Sequence, residues 1–486
     1  MNFARDVVDA APADRVALIG LSREGGRREW TFGEVADRSA RLAGAFASHG
    51  IDRGDVVMTL IGNRPEWVLT MVACFRIGAV ALACNEQLRA HDLTVRIEAA
   101  KPSLIVADER NLSELSAAKP PCPVLSVPDD ALLTSGEPAP AVDLEPEDPC
   151  LITFTSGTTG EPTGVVHGQR YLPGQGLQAE HWLDARPGEV VWCTAATGWS
   201  KSARNAFIAP WLRGAAALLH DQRFDPAQRL ELLARERVSV LCMAPTEYRV
   251  IAKRATLRRF PELRSLVAAG EALNPEVIRA WREATGLEIR DGYGQTETGQ
   301  LTGNPPGEPV RSGSMGRPLA GVDLRVEDGE LVLNDPRTDP TFFVGYLDGR
   351  PAPAERPWHT GDRVRLDEDG YLYFEGRTDD VIISAGYRIG PFEVESALVS
   401  HAAVAEAAVV AAPDEERGSV VRAVVVLRDG FAPGPDLASE LQDHVKEQTA
   451  PYKYPRIVEF ADELPKTASG KIQRASLRRQ WAKNGR

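Results

Sequence analysis

The 486-residue sequence has no apolar run of the roughly 18 residues that a membrane-spanning helix requires. Its longest candidate, residues 404–412, is interrupted by Glu406 and has the length of a strand. The N-terminal segment also lacks the uninterrupted apolar stretch of a signal peptide, since Arg5 and Asp6 fall within it. We therefore expect neither a membrane span nor an export signal, and we expect a cytoplasmic protein.

Cysteine is scarce, and no two cysteines form a C-x-x-C pair. Single cysteines inside apolar runs are typical of buried thiols rather than of a metal site or a disulfide framework. The six are Cys74, Cys84, Cys122, Cys150, Cys193 and Cys242.

The chain also lacks a surplus of positive charge, because 69 acidic residues outnumber 56 Lys and Arg and give a net charge of −13. This balance argues against a nucleic-acid partner. Residues 444–486 are the exception, with ten Lys or Arg against four acids, which leaves −19 for the rest of the chain. Such a tail is either a solvated basic helix or a surface that meets a polyanion.

The length exceeds what one hydrophobic core normally supports and predicts two or more domains. Apolar strand-like runs alternate with helical segments up to residue 321, as where residues 265–269 precede a helix over 275–285. A further strand over 55–61 precedes an amphipathic helix over 66–77. This alternation predicts parallel α/β sheets covered on both faces. The Pro-rich residues 119–149 predict an irregular connection between two such sheets.

The pattern changes after residue 321 to short strands separated by Gly and Asp, which predicts a small antiparallel sheet or barrel. It changes again near residue 379, where about 107 residues of mixed helix and strand predict a separate small domain. We therefore predict an α/β fold with a large N-terminal domain, residues 1–378. It comprises two stacked α/β sheets and a small β-barrel-like subdomain. A small mobile α+β domain, residues 379–486, follows it.

The segment TFTSGTTGEPTG, residues 153–164, follows an apolar strand and is rich in Ser, Thr and Gly. Backbone N–H groups and hydroxyls in such a loop can surround phosphate oxygens, and glycines allow close approach. The loop lacks the Gly-Lys-Ser/Thr ending of a P-loop, which disfavours a plain NTPase.

Five further motifs accompany this loop in a fixed order. They are AAGEAL at 268–273, DGYGQTETG at 291–299, WHTGD at 358–362, GRTDDVIISAGYRIGPFEVE at 376–395, and APYKYPR with LPKTASGKIQR between 450 and 474. With them the chain resembles the AMP-forming acyl-CoA synthetases of the adenylate-forming superfamily, most of all the medium-chain enzymes. The resemblance covers nearly the whole chain.

The resemblance implies an ATP site. The loop residues that match the holders of the β- and γ-phosphates are Thr155, Ser156, Gly157, Thr158, Thr159 and Gly160. The residues beside the nucleotide are Gly270, Glu271, Ala272, Asp291, Gly292, Tyr293, Gly294, Gln295 and Thr296. Among these, Tyr293 stacks on adenine and Thr296 donates to the α-phosphate, and the following Glu297 is the Mg²⁺ ligand.

The motifs nearer the C-terminus imply the remaining roles. Asp362 accepts both ribose hydroxyls, and Arg377 contacts ribose and phosphate from the domain junction. Lys471 is the catalytic lysine of adenylation, where its charge stabilises the transition state. Asp379 is the hinge about which the small domain swings between two poses. In the second pose CoA would meet Ala385, Gly386, Tyr387, Arg388 and Lys453.

One position departs from the family pattern. Thr163 stands where the family usually has a lysine. Either another cation such as Lys201 or Arg204 takes its place, or Mg²⁺ and backbone donors suffice to neutralise the phosphates.

The implied reaction joins a carboxylic acid to CoA through an acyl-adenylate, with ATP and Mg²⁺ as further requirements. A Trp fills the acyl pocket of acetate-activating relatives at the position of Gly294, so glycine there predicts a medium-chain, branched or aromatic acid. The other expected pocket residues are Trp199, Met243, Tyr248 and Gln300.

Two other functions remain open at this point. The acyl group could pass to a carrier-protein thiol, because that acceptor presents the same pantetheine arm, although the basic tail favours CoA. A nucleotide-binding regulator without turnover is the second alternative, prompted by Thr163. Retention of Glu297, Asp362 and Lys471 argues against it. A homodimer is possible.

Overall fold

The computed structural model describes residues 1–155, 162–271, 273, 275–378, 380–384, 387–414, 417–466 and 472–484. Its described residues form two large sheets, a smaller antiparallel sheet and a C-terminal group of helices and strands. The predicted α/β class, with a large N-terminal part and a small C-terminal part, is confirmed. The position of the domain boundary at 378/379 stays a prediction.

The larger sheet has nine strands among the described residues. In spatial order they are β15 (Arg317–Pro318), β14 (Gly299–Gly303), β13 (Ile289–Gln295), β12 (Ser265–Ala269), β11 (Val240–Met243), β9 (Val190–Cys193), β10 (Ala216–His220), β1 (Val16–Leu21) and β2 (Arg27–Thr31). The six strands from β13 to β1 run parallel, whereas the strands at both edges pair antiparallel. Five of these parallel strands, β12, β11, β9, β10 and β1, are largely apolar, as is typical where helices cover both faces of a sheet.

The second sheet has seven strands within the described ranges. Their order is β18 (Gly345–Tyr346), β8 (Thr163–Gly168), β7 (Pro149–Thr155), β4 (Val80–Cys84), β3 (Val56–Leu60), β5 (Leu104–Asp108) and β6 (Val124–Val127). Strands β7 and β8 pair antiparallel on either side of the predicted phosphate loop.

Fifteen α-helices occur in the described part of the chain, several of them a single turn. They are α1 (Phe32–Ser48), α2 (Pro65–Ile77), α3 (Ala90–Ala100), α4 (Leu112–Ala117), α5 (Asp130–Thr134), α6 (Tyr171–Gly174), α7 (Gly176–Gln178), α8 (Ser200–Ala203), α9 (Ala209–Leu212), α10 (Pro226–Arg235), α11 (Pro245–Arg254), α12 (Pro275–Thr285), α13 (Pro391–Ser400), α14 (Pro435–Gln448) and α15 (Arg474–Asn484). None of the described helices is long and apolar enough to cross a membrane.

Helix α2 corrects the expectation of an amphipathic helix over residues 66–77. Every residue from Trp67 to Ile77 is buried, and the helix shares one hydrophobic cluster with strands of both large sheets. A helix that lies between two sheets has no solvent-facing side and is apolar all round. Its one buried cation, Arg76, pairs with Asp9 at 2.5 Å.

The segment 119–149 also differs from the expected irregular connection. It contains β6, which pairs parallel with β5 at the edge of the seven-stranded sheet, and the short helix α5. The high Pro and Asp content concealed both elements, because β6 is only four residues long and partly exposed.

The antiparallel segment after residue 321 forms an open four-stranded sheet in the order β16 (Leu324–Glu327), β17 (Glu330–Leu333), β19 (Trp358–Leu366) and β20 (Leu372–Arg377). Of the two predicted forms, the structure therefore has the sheet, with β16 and β20 at its edges. The C-terminal strands are β21 (Ile382–Ser384), β22 (Tyr387–Ile389), β23 (Val404–Asp414), β24 (Gly418–Leu427) and β25 (Ile457–Phe460). Helices α13 and α14 pack on these strands around a separate apolar core.

Helix α1 depends on two local features of its sequence. Thr31 and Glu34 form a reciprocal capping box at its start. Further along, Gly44 allows the segment after α5 to approach, since a Cβ on Gly44 would lie 1.9 Å from the Glu137 carbonyl oxygen. A hydrogen bond also joins the two segments, since the Ala139 N–H donates to the Ala40 carbonyl at 2.9 Å.

We predict that Gly44→Ala lowers the free energy of unfolding by about 1–3 kcal/mol, as overpacking against a fixed backbone does. Gly176→Ala is the matched control, because no atom lies within 4 Å of a Cβ there. Urea unfolding followed by circular dichroism measures both variants. Equal midpoints for Gly44→Ala and the wild type would show that residues 135–139 move at no cost.

Candidate active site

The DGYGQTETG motif forms strand β13, the turn after it and the start of β14. The two strands approach so closely that a Cβ on Gly294 would lie 1.8 Å from the Gly299 carbonyl oxygen. On Gly292 a Cβ would lie 2.8 Å from the Thr302 carbonyl oxygen. Both positions therefore require glycine for backbone packing alone. At Gly294 this reason is independent of the size of any bound acid.

Asp362 on β19 is the meeting point of three sequence motifs. Its carboxylate is 5% exposed, and its Oδ2 accepts from the Tyr293 hydroxyl at 2.5 Å and from Gln295 Nε2 at 2.9 Å. Its Oδ1 accepts from Arg377 Nη1 at 3.3 Å. Burial raises the pKa of Asp362, and the charge of Arg377 opposes that rise. The structure thus brings together four residues that the sequence assigned to ribose and adenine.

Gln295 is fixed from a second direction. Its Nε2 also donates to the Thr360 carbonyl at 2.7 Å, and its Oε1 accepts from the Trp358 indole at 3.0 Å. The pKa of Tyr293 is raised well above its usual value by burial and by the nearby Asp362 charge. Tyr293 therefore stays a neutral donor.

Glu297 lies at the turn between β13 and β14. Its Oε1 accepts from the Tyr346 hydroxyl at 3.4 Å, and the Phe343 N–H donates to its carbonyl at 2.8 Å. Burial raises the pKa of the Glu297 carboxyl. No group of three or more His, Cys, Asp or Glu residues suited to hold a metal occurs in the described ranges. A single carboxylate nevertheless fits Mg²⁺, which is typically held by one or two carboxylates, substrate phosphates and water.

Gly270 follows β12 with φ of +98°, a conformation that favours glycine. Lys201 lies against this turn, since its Nζ donates to the Ala269 carbonyl at 3.2 Å. Glu271, which follows Gly270 in the sequence, accepts a hydrogen bond from the Thr246 hydroxyl at 2.7 Å. The sequence assigned Glu271 here but gave Lys201 only as a substitute for the missing loop lysine. Thr246 was missed, because a threonine at a helix start carries no distinguishing pattern.

Asp291 is a buried residue of β13. Its carboxylate accepts a hydrogen bond from the N–H of the adjacent Gly292 at 2.9 Å and another from the backbone of Leu273. Burial raises the pKa of Asp291 well above its usual value. The contacts of Asp291 thus join the ends of β12 and β13.

The expected acyl-pocket residues separate into two groups. Trp199 is half-buried at the start of α8, and Gln300 is buried on β14 opposite Gly294. Met243 and Tyr248 instead lie in the hydrophobic cluster beneath the nine-stranded sheet. The Tyr248 hydroxyl lies there within hydrogen-bond distance of the carbonyls of two strands, at 2.9 and 3.1 Å, and shares its one proton between them. The structure gives these two residues a packing role, and their contact with an acid stays a prediction.

Of the predicted loop, only Thr155 is described. Its hydroxyl donates to the Thr163 carbonyl at 3.3 Å. The other predicted site residues that lie outside the described residues are Ser156, Gly157, Thr158, Thr159, Gly160, Ala272, Asp379, Ala385, Gly386 and Lys471. The backbone of Arg388 is in β22, and nothing further is described for this residue.

Two of the predicted CoA residues are described in the C-terminal part. Tyr387 is exposed and stacks on Tyr452 with ring centroids 4.4 Å apart. Lys453 pairs with Glu393 at 2.5 Å. These contacts place an aromatic pair and a cation on neighbouring elements, β22 and the turn before β25.

His167 on β8 is a buried group that the sequence did not single out. Burial lowers its pKa to about 3, the Thr296 backbone opposes this shift, and the charge of Arg204 adds to it. The imidazole is therefore neutral at physiological pH. It packs on Tyr171 with ring centroids 4.0 Å apart.

Comparison with known proteins identifies the family. A model described as AMP-binding enzyme matches residues 4–337, and a model described as AMP-binding enzyme C-terminal domain matches residues 393–471. The chain belongs to the AMP-binding enzyme family. The predicted membership is thereby confirmed, and the two matched regions lie on either side of the predicted boundary.

Individual relatives match along the whole chain. The mitochondrial acyl-coenzyme A synthetase ACSM4 of Rattus norvegicus is 40% identical over 99% of this chain and 91% of its own. The uncharacterized acyl-CoA ligase YtcI of Bacillus subtilis is 38% identical over 97% of this chain and 94% of its own. The crystal structure of the anthranilate CoA ligase AuaEII with anthranoyl-AMP has a TM-score of 0.88 and 28% identity, covering 98% of this chain and 96% of that one. These matches confirm the predicted enzyme class of acyl-CoA synthetases.

The neutral state of His167 predicts a pH dependence of stability. Because the folded-state pKa of about 3 lies below the ordinary 6.5, protons bind the unfolded chain more readily. The stability linked to His167 is complete above pH 6.5 and decreases as the pH falls toward 3. It decreases by about 2 kcal/mol between pH 7 and 5.

Urea unfolding at pH 7 and pH 5 measures this loss, and His167→Asn should remove about that amount of the difference. The His167 ring resonance, assigned by the same variant, should stay constant between pH 8 and 5. A midpoint of this resonance near pH 6.5 would contradict the buried neutral state.

Proposed function

We propose that this acyl-CoA synthetase activates a carboxylic acid at the site around Asp362, in two half-reactions. The observation that carries the proposal is the convergence of Tyr293, Gln295 and Arg377 on one buried carboxylate. Together with Asp362 these residues come from three separate motifs, and they meet at the end of a parallel strand. Open α/β sheets characteristically bind their ligands at the carboxyl ends of the strands.

In the first half-reaction a carboxylate oxygen of the acid attacks the α-phosphorus of ATP. The bond from that phosphorus to the bridging oxygen breaks, pyrophosphate leaves, and an acyl-adenylate remains. We assign Asp362 to the ribose hydroxyls, because an ionised carboxylate accepts hydrogen bonds without donating any. Tyr293 stacks on adenine and Thr296 donates to the α-phosphate. Lys471 neutralises the charge that builds up on the phosphate and the carboxylate.

Glu297 is the residue we assign to hold Mg²⁺. When bound, the ion would neutralise phosphate charge during adenylation. The Tyr346 hydroxyl, which donates to Glu297 at 3.4 Å, would keep the carboxylate oriented.

In the second half-reaction the CoA thiol loses its proton and its sulfur attacks the acyl carbon. The bond from that carbon to the phosphate oxygen breaks, and AMP leaves. We assign Ala385, Gly386, Tyr387, Arg388 and Lys453 to this acceptor, with Asp379 as the hinge between the two poses. A cytoplasmic location and a homodimer also belong to the proposal, although the rat relative carries the word mitochondrial in its name.

The function is tested by ATP–pyrophosphate exchange across a panel of carboxylic acids, followed by thioester detection with CoA. We expect exchange with at least one acid and a thioester with free CoA. Lys471→Ala should abolish exchange while it largely spares thioester formation from preformed acyl-AMP. Exchange without a CoA thioester would favour a carrier-protein acceptor, and absence of exchange with every acid would favour a regulator.

The ribose assignment predicts that Asp362→Asn raises the KM for ATP about tenfold or more, because a hydrogen bond to a charged group contributes about 1.5–3 kcal/mol. The same variant should lose much of the wild type's preference for ATP over 2′-deoxy-ATP. Asp369→Asn is the control, since Asp369 is exposed at a turn of the same sheet and pairs with Arg311. An unchanged preference in Asp362→Asn would remove Asp362 from the ribose site.

A further inference from the structure

Arg204 is a buried cation for which the described part of the chain provides no counter-charge. It is 4% exposed, and within the described residues its Nε and Nη1 have no hydrogen-bond acceptor. Its Nη2 reaches the side-chain oxygen of Gln300 at 3.5 Å, the upper limit of a hydrogen bond. Arg204 forms no ion pair with any described carboxylate.

Further polar groups lie around Arg204. Among the described residues, both amide atoms of Asn205 have no hydrogen-bond partner. The Tyr171 hydroxyl interacts with Arg204 and Ser200, and the His167 ring interacts with the Thr296 backbone. Arg204 and Ser200 lie close enough to Tyr171 to lower its pKa against the rise that burial causes. These groups come from four elements, so they form a cluster rather than one polar helix face.

The position of this cluster links it to the proposed acid. Arg204 is the first residue after α8, and Trp199 is the last residue before it. Gln300 pairs with Gly294 across the β13–β14 hairpin, and the Thr296 backbone faces His167. The cluster therefore lies beside the segment that carries Thr296, where the proposed reaction joins the acid to the α-phosphate.

An unpaired guanidinium in a buried site costs several kcal/mol, whereas a buried charge is tolerated when it is paired and hydrogen-bonded. An alkyl or unsubstituted aryl acid would leave Arg204 unpaired. A carboxylate would accept from its fork of donors, and from Asn205 and Tyr171 as well.

We propose that the acid is a dicarboxylate whose second carboxylate is bound by Arg204. This inference rests on the proposed function, of which it names the substrate class. One carboxyl group reacts near Thr296. The other stays ionised, with Arg204 as its counter-charge and Asn205 and Tyr171 as further donors.

The test compares acids of equal carbon number with one or two carboxyl groups: butanoate with butanedioate, hexanoate with hexanedioate, and octanoate with octanedioate. We expect the wild type to prefer one diacid over its monoacid by 100-fold or more in kcat/KM for pyrophosphate exchange. The methyl monoester of that diacid should be used as poorly as the monoacid. This comparison requires no variant and does not depend on the folding of one.

The variants Arg204→Met and Arg204→Lys then test whether Arg204 is the source of the preference for a diacid. We expect Arg204→Met to reduce kcat/KM for the preferred diacid by 100-fold or more, with the monoacid unchanged or improved and the KM for ATP unaltered. Arg204→Lys should retain part of the preference, because it keeps the charge without the fork. Arg213→Met, at a surface arginine nearby on the same segment that pairs with Glu180, should change none of these values.

Efficient use of hexanoate or octanoate with no use of any diacid would overturn the inference and leave the proposed function standing. An equal loss for all acids in Arg204→Met would also overturn it and assign Arg204 to the reacting carboxylate. A raised KM for ATP with every acid would assign Arg204 to the phosphates, in place of the loop lysine. No exchange with any acid would overturn the proposed function and this inference together.

Discussion

The buried carboxylate of Asp362 is the contact on which the arrangement of the site depends. It joins the nine-stranded sheet, through Tyr293 and Gln295 on β13, to the four-stranded sheet, through its own strand and Arg377 on β20. Without these donors a carboxylate at 5% exposure would be unsatisfied, and such a group is costly in an interior. The same hydrogen bonds therefore fix the two sheets relative to each other and hold the residues assigned to the nucleotide in place.

The sequence was sufficient for elements with a strong periodic signal. The helix over 275–285 and the strand over 265–269 are found with those bounds, because apolar spacing and flanking turns define them locally. What it could not supply was the surroundings of an element. Helix α2 has the composition of an amphipathic helix with few polar positions, and only the presence of a second sheet above it makes every face buried. Strand β6 is likewise defined by its neighbour β5 rather than by its own four residues.

The motifs predict which residues serve one nucleotide, and the structure brings Tyr293, Gln295, Asp362 and Arg377 into contact with one another. Motifs were less informative about why a residue type is present. Glycine at position 294 predicts room for an acid, yet in this structure the backbone of β14 already leaves no space for a Cβ there. For Arg204 the residue type is informative, whereas its surroundings are not visible in the sequence. Its charge is visible in the sequence, but the absence of a counter-charge among the described residues is a property of three-dimensional packing.

The donor set around Asp362 also bears on how the product leaves. A carboxylate offers about four lone-pair sites, and three already accept hydrogen bonds from protein donors. In the proposed complex a ribose with two hydroxyls must therefore displace one of those donors instead of filling two empty positions. When AMP departs, the displaced donor can return, so that product release leaves no buried charge unsatisfied. The nucleotide is thereby held by exchange of hydrogen bonds, an arrangement that favours turnover over tight retention of AMP.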